Sequence, residues 1–200
     1  SWVPGVNGSA IEVSDGAAGN FVSVPNHASL NPTDTMSLVA WCSVSTMPDD
    51  NNSIITKADT WMLHTSNWRG GGDPVEWEPL FWTPAFVAWQ TTASATVALN
   101  EWHHIAGVYD GSTVLTYLDG EEVGSFDQSG SLATSNVDVI IGRDSRGCCV
   151  ERKAQQAIDD AMIWSRALSE GEVNEIIAGV LLDVDAAGKT ATTWARLKRK

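Results

Sequence analysis

Apolar and polar residues alternate along this chain in short runs with a period of two. In Met36–Ser45 (MSLVAWCSVS), Met36, Leu38, Ala40, Cys42 and Val44 share one face and Trp41 points the other way, which predicts a strand half-buried against a core. The stretch Trp102–Val123 (WHHIAGVYDGSTVLTYLDGEEV) reads as strand, turn, strand, turn, strand, because Asp110-Gly111 and Asp119-Gly120 tolerate the positive φ of tight turns. There His104, Ala106 and Val108 fall on one face, and His103, Ile105 and Tyr109 on the other. Further strands are predicted at Ser9–Val13, Phe21–Val24, Ser53–Lys57, Trp61–Thr65, Phe81–Gln90, Ala95–Leu99, Val137–Gly142 and Ala157–Ser165. Asn67–Pro79, around Gly70-Gly71-Gly72, reads as irregular. Ser169-Glu170-Gly171-Glu172 has the form of a capping box and starts one short helix that stops at Gly179. The tail from Val180 reads as two more strands about a turn at Asp185–Lys189. Many short strands and one helix predict two packed antiparallel sheets, an all-β sandwich. With no repeat and no linker, residues 1–200 form a single domain.

Composition narrows what such a sandwich does. At 43% hydrophobic residues, 200 residues can bury a sizeable core. The 25 Asp and Glu against 12 Lys and Arg give a net charge of −13, which disfavours nucleic acid as a partner. That balance suits a protein that holds cations, or one whose acidity only keeps it in solution. No apolar run reaches the roughly 18–20 residues of a membrane span, so membrane insertion is not expected. The chain opens at Ser1 rather than Met, as a trimmed or mature form would. Three cysteines allow one disulfide, from Cys42 to Cys148 or Cys149, with a thiol left over; the other reading makes Cys42 a buried, inert thiol.

Several phrases resemble a known family. Asn20-Phe21-Val22-Ser23-Val24-Pro25 with Ala28-Ser29-Leu30, Glu101–Ala106, Tyr109–Ser112, Tyr117–Gly120, Val139–Gly142, and Ile158-Asp159-Asp160 followed by Ile163–Ser169 occur in one order over about residues 8–178. They resemble the laminin G-like jelly roll of the concanavalin A-like lectin/glucanase superfamily, to which pentraxins are related. The segment 180–200 lies outside the resemblance, as a C-terminal extension. The resemblance implies a jelly-roll sandwich that binds glycans or other extracellular polymers, often with calcium. It also implies an extracellular or cell-surface setting, as part of a larger protein beside other domains. Pentraxins carry a disulfide between the strands matching Met36–Ser45 and Trp102–Tyr109, but near Ala106 this chain has no second cysteine.

Candidate sites follow from both readings. A hard divalent cation takes six to eight oxygens, and Asp159 sits in an apolar strand where a lone carboxylate is costly. In related jelly rolls the matching acid binds Ca2+ with the N-terminal strands, which implies Asp15, Asn20 and backbone carbonyls near Gly16 as partners. Alternatively Asp159 or Asp160 faces solvent or pairs with Arg152 or Arg166. For a sugar, the tryptophan-rich segment offers Trp68, Arg69, Glu76 and Trp77, an indole platform with polar groups for hydroxyls. The competing reading has Trp68 and Trp77 pin the long loop to the sandwich. His103 and His104 point to opposite faces and cannot serve one site. The superfamily's hydrolases carry an E-x-D-x-x-E motif that this chain lacks, so no catalysis is expected. The reading is a non-catalytic glycan-binding module with a structural calcium. The alternatives are a protein-interaction or structural domain and, less favoured, a glycoside hydrolase or polysaccharide lyase.

Overall fold

The structure is a computed structural model that describes residues 1–14, 20–46, 51–66, 75–85, 95–146 and 154–180. Its strands are β1 (Trp2–Pro4), β2 (Ser9–Val13), β3 (Val22–Val24), β4 (Met36–Thr46), β5 (Asn51–Lys57), β6 (Trp61–Ser66), β7 (Val75–Phe81), β8 (Ala95–Val97), β9 (His103–Tyr109), β10 (Thr113–Leu118), β11 (Glu121–Asp127), β12 (Val139–Ile141) and β13 (Gln155–Trp164). One helix, α1 (Glu170–Ile177), follows. A seven-stranded sheet runs β1-β2-β13-β4-β9-β10-β11 and a six-stranded sheet β3-β12-β5-β6-β7-β8. All pairings are antiparallel, giving the jelly-roll sandwich that the alternation implies.

Alternation decides which side chains form the core. Met36, Leu38, Ala40, Cys42 and Val44 of β4, with Ile105 and Tyr109 of β9, meet Ile55, Leu63, Trp61, Trp77 and Phe81 between the sheets. The sheets approach so closely that a Cβ on Gly107 would strike Pro79. Outward residues Val39, Ala106, Val108 and Tyr117 are covered by Leu168, Val173 and Ile176, so α1 lies on the outer face of the seven-stranded sheet. Ser169 caps that helix as its sequence requires: its hydroxyl accepts from the Glu172 amide, and the Glu172 side chain accepts from the Ser169 amide. The β10–β11 turn holds Asp119 at φ 51° and Gly120 at φ 92°.

Two elements depart from the expected pattern. β1 lies before the first predicted strand, because a three-residue edge strand is too short to show a period. β7 occupies Val75–Phe81, where an irregular segment was expected up to Pro79 and a strand from Phe81 onward. Pro79 suggests a break, but it pairs with Leu63 where, among the described residues, β7 has a strand on one side only. The strands expected after Val180 lie outside the described residues.

Candidate functional site

The β1–β2 hairpin and a bulge in β13 build an acidic corner. Register along β13 passes from Asp159 opposite Trp41 to Met162 opposite Val39, so Asp160 and Ala161 face the single residue Ala40. The extra residue shifts the alternation by one: Ile158 packs into the inner core, whereas Met162 and Trp164, an even number of residues further on, reach the outer cluster under α1. Asp160 absorbs the irregularity at φ 44°, a region that aspartate tolerates better than most residues. The turn that follows β1 then folds over the bulge. The Gly5 amide donates to the Gly8 carbonyl (2.9 Å), and a Cβ on Gly5 would strike the Asp159 carboxylate.

Both carboxylates are consequently taken out of water. Asp159 is 0% exposed and Asp160 8%. The Asn7 amide donates to Asp159 Oδ2 (3.0 Å), the Asp160 amide to Asp159 Oδ1 (2.9 Å), and Asn7 Nδ2 to Asp160 Oδ2 (2.8 Å). Two adjacent buried carboxylates are oxygen donors of the kind a hard cation takes, and a cation would offset their mutual repulsion. These two carboxylates are a partial donor set for such a cation. Among the described residues no three His, Cys, Asp or Glu side chains converge as ligands, so a full shell needs further oxygens.

A second feature lies on the outer face of the six-stranded sheet. Ser53, His64 and Glu78 stand opposite one another across β5, β6 and β7, with His64 Nε2 3.6 Å from Glu78 Oε2. The neighbouring row, Ile140, Thr56, Met62 and Leu80, is largely apolar. All of these residues are buried.

The sequence of residues 15–174 matches the laminin G-type model of the Concanavalin A-like lectin/glucanases superfamily. The chain belongs to this superfamily. No curated protein sequence matches it. Solved structures share the fold at low identity. The binding domain of Paraclostridial Mosquitocidal Protein 1 superposes with a TM-score of 0.65 at 14% identity, over 90% of this chain and 45% of that one. Domain 4 of AbnA, a GH43 extracellular arabinanase from Geobacillus stearothermophilus, solved with arabinotriose, gives 0.62 at 16%, over 88% and 80%. The Ruminococcus gnavus IT-sialidase CBM40 bound to α2,3-sialyllactose gives 0.57 at 16%, over 84% and 95%. The chain thus spans less than half of the first of these.

Within this lectin/glucanase sandwich the expected site residues separate. Trp77 is a correction: it is 0% exposed in the core, where an indole offers no face to a sugar. Its position on β7 decides this, since Trp77 and Phe81 alternate inward while Glu78 lies on the other face; the Glu76 side chain lies outside the described ones. Trp68, Arg69, Asp15 and Gly16 lie outside the described residues. Asn20 is described and exposed, with no hydrogen bond to either aspartate among the described residues. The residue that does reach both acids is Asn7, which sequence reasoning missed. Its only signal was Asn7-Gly8, a turn pair before the first recognised strand.

The histidines follow the opposite-face reading. His103 Nδ1 lies 2.8 Å from Asp119 Oδ2, while His104 is buried beside Trp41 with ring centroids 5.1 Å apart. Burial lowers the His104 pKa to about 4, against a smaller opposing pull from Asp119. Cys42 is a free, buried thiol, 3.7 Å from Gln156 Oε1, so the disulfide alternative falls. Burial pushes its pKa up to about 12.

Proposed function

We propose that this superfamily member is a non-catalytic module that binds glycan and takes a structural calcium ion at the Asp159–Asp160 corner, at the cell surface or outside the cell, within a larger protein. The acidic corner is the observation that carries the calcium reading: two sequence neighbours, both buried, share the turn residue Asn7 as donor. Asp159 and Asp160 would hold the ion, with oxygens from the segment of Asp15, Gly16 and Asn20 completing the shell. When bound, the ion supplies charge neutralisation and ties the N-terminal hairpin to β13. The glycan reading is supported by shared fold with domains solved in complex with arabinotriose and α2,3-sialyllactose.

A thermal melt in 1 mM (~100 Kd for a ~10 µM site) calcium and in excess EDTA tests the ion. A rise of several degrees with calcium is expected, and identical curves would sink this part. A broad glycan array tests the ligand, and a blank array across neutral and acidic glycans would remove the glycan reading. Release of reducing ends from a polysaccharide panel would overturn the non-catalytic assignment.

A further inference from the structure

Each described arginine but one has an acid. Arg146 forks onto Asp144, with Nη2 2.6 Å from Oδ2 and Nε 3.1 Å from Oδ1. Arg166 Nη2 lies 2.7 Å from Glu172 Oε1. Arg143 has no carboxylate partner among the described residues, and its Nε is buried without an acceptor. Its Cζ instead sits 3.8 Å from the centroid of the Phe21 ring, which is 37% exposed. In a chain with 25 acidic residues against 12 basic ones, acids are not scarce. A lone guanidinium held against an aromatic ring here is a cation kept available.

The loop carrying Arg143 is fixed from several sides. Gly142 adopts φ 92°, its amide donates to the Ile54 carbonyl (2.9 Å), and Val13 Cγ2 would lie 2.5 Å from an added Cβ. Thr56 Oγ1 donates to the Arg143 carbonyl (3.4 Å) and accepts from the Ser145 amide (3.0 Å). The backbone that presents the side chain is thus set by β2, β5 and β12, while Phe21 at the entry to β3 supports the guanidinium. A guanidinium over an aromatic face keeps in-plane donors for other partners, and a carboxylate can take two such donors in parallel hydrogen bonds. The exposed part of Phe21 suits the C–H face of a sugar.

We infer that Arg143, backed by Phe21, binds the carboxylate of an acidic sugar, a uronic or a sialic acid. This rests on the glycan-binding reading and names the ligand class. The test is titration calorimetry of the whole chain with two matched pairs, 3′-sialyllactose against lactose and tetragalacturonate against its methyl ester. Wild type is expected to bind one acidic member at least about tenfold tighter than its neutral counterpart, since one charge-assisted pair is at stake. The pair that shows the preference identifies the sugar. Arg143→Gln should erase the preference with an unchanged melting temperature. Arg143→Lys should retain part of it, and Phe21→Leu should weaken binding of the acidic member. Preference surviving in Arg143→Gln, or equal affinity for both members of each pair, overturns the inference and leaves glycan binding standing. No binding to any sugar, acidic or neutral, overturns both.

Discussion

The Asn7 amide donates to the Asp159 carboxylate across 3.0 Å, joining residues 152 positions apart in the sequence. The bond exists because Gly5 lets the hairpin backbone lie against that carboxylate. Gly5→Ala should force the two apart and lower stability by about 1–3 kcal/mol, as overpacking of a close contact does. Urea melts with and without calcium measure both effects: the variant should also lose most of its calcium-dependent gain. A variant as stable as wild type would show that the hairpin is not seated on Asp159.

Trp77 belongs to the core, so its removal should cost stability and not recognition. Trp77→Ala is expected to lose about 3–5 kcal/mol. Trp77→Phe should lose less, because the indole Nε1 has no hydrogen-bond partner to forfeit. Glycan affinity per folded molecule should be the same in Trp77→Phe as in wild type. A selective loss of affinity at unchanged stability would restore the ligand role expected of this residue.

His104 makes the fold acid-sensitive. Its folded pKa of about 4 lies below the ordinary imidazole value of 6.5, so the unfolded chain takes up a proton first as pH falls. Stability is therefore undiminished above pH 6.5 and declines down to about pH 4, by an order of about 3 kcal/mol. His104→Phe, which keeps a ring beside Trp41, should flatten that slope. Parallel slopes for wild type and variant in urea melts between pH 7 and pH 4 would assign the acid sensitivity elsewhere.

Cys42 should be silent in the native state. With its thiol buried and its pKa pushed up to about 12, thiolate is scarce at neutral pH. Labelling with a thiol reagent followed by peptide mapping should find Cys42 unmodified until denaturant is added. Rapid native modification at Cys42 would show that the region around Gln156 opens.

Most of the sandwich was legible because strands with one buried face write their register in the sequence. In β4 and β9 the alternation of Met36–Val44 and of His103–Tyr109 matches the core and outer clusters residue by residue. The carboxylates of β13 were legible for the opposite reason, as polar interruptions in an apolar run. What turned them into a corner was not, because a bulge is a relation between two strands and Asn7 arrives from a hairpin made elsewhere. Trp77 was misjudged because Pro74 and Pro79 masked a strand, and without the strand its inward phase could not be read. Arg143 gave no signal at all; its importance lies in a missing partner, which only coordinates reveal.

The strand order has a consequence for how the chain is made. β13 lies between β2 and β4, so a late strand is inserted between two early ones. During synthesis β2 and β4 leave the ribosome long before Gln155, and each keeps an unsatisfied edge until Trp164 has emerged. Closing that gap is a long-range event, which makes completion slow and leaves nascent chains exposed to edge-to-edge aggregation. Expression conditions that slow initiation and lower chain density should raise the soluble yield more than any change to the surface.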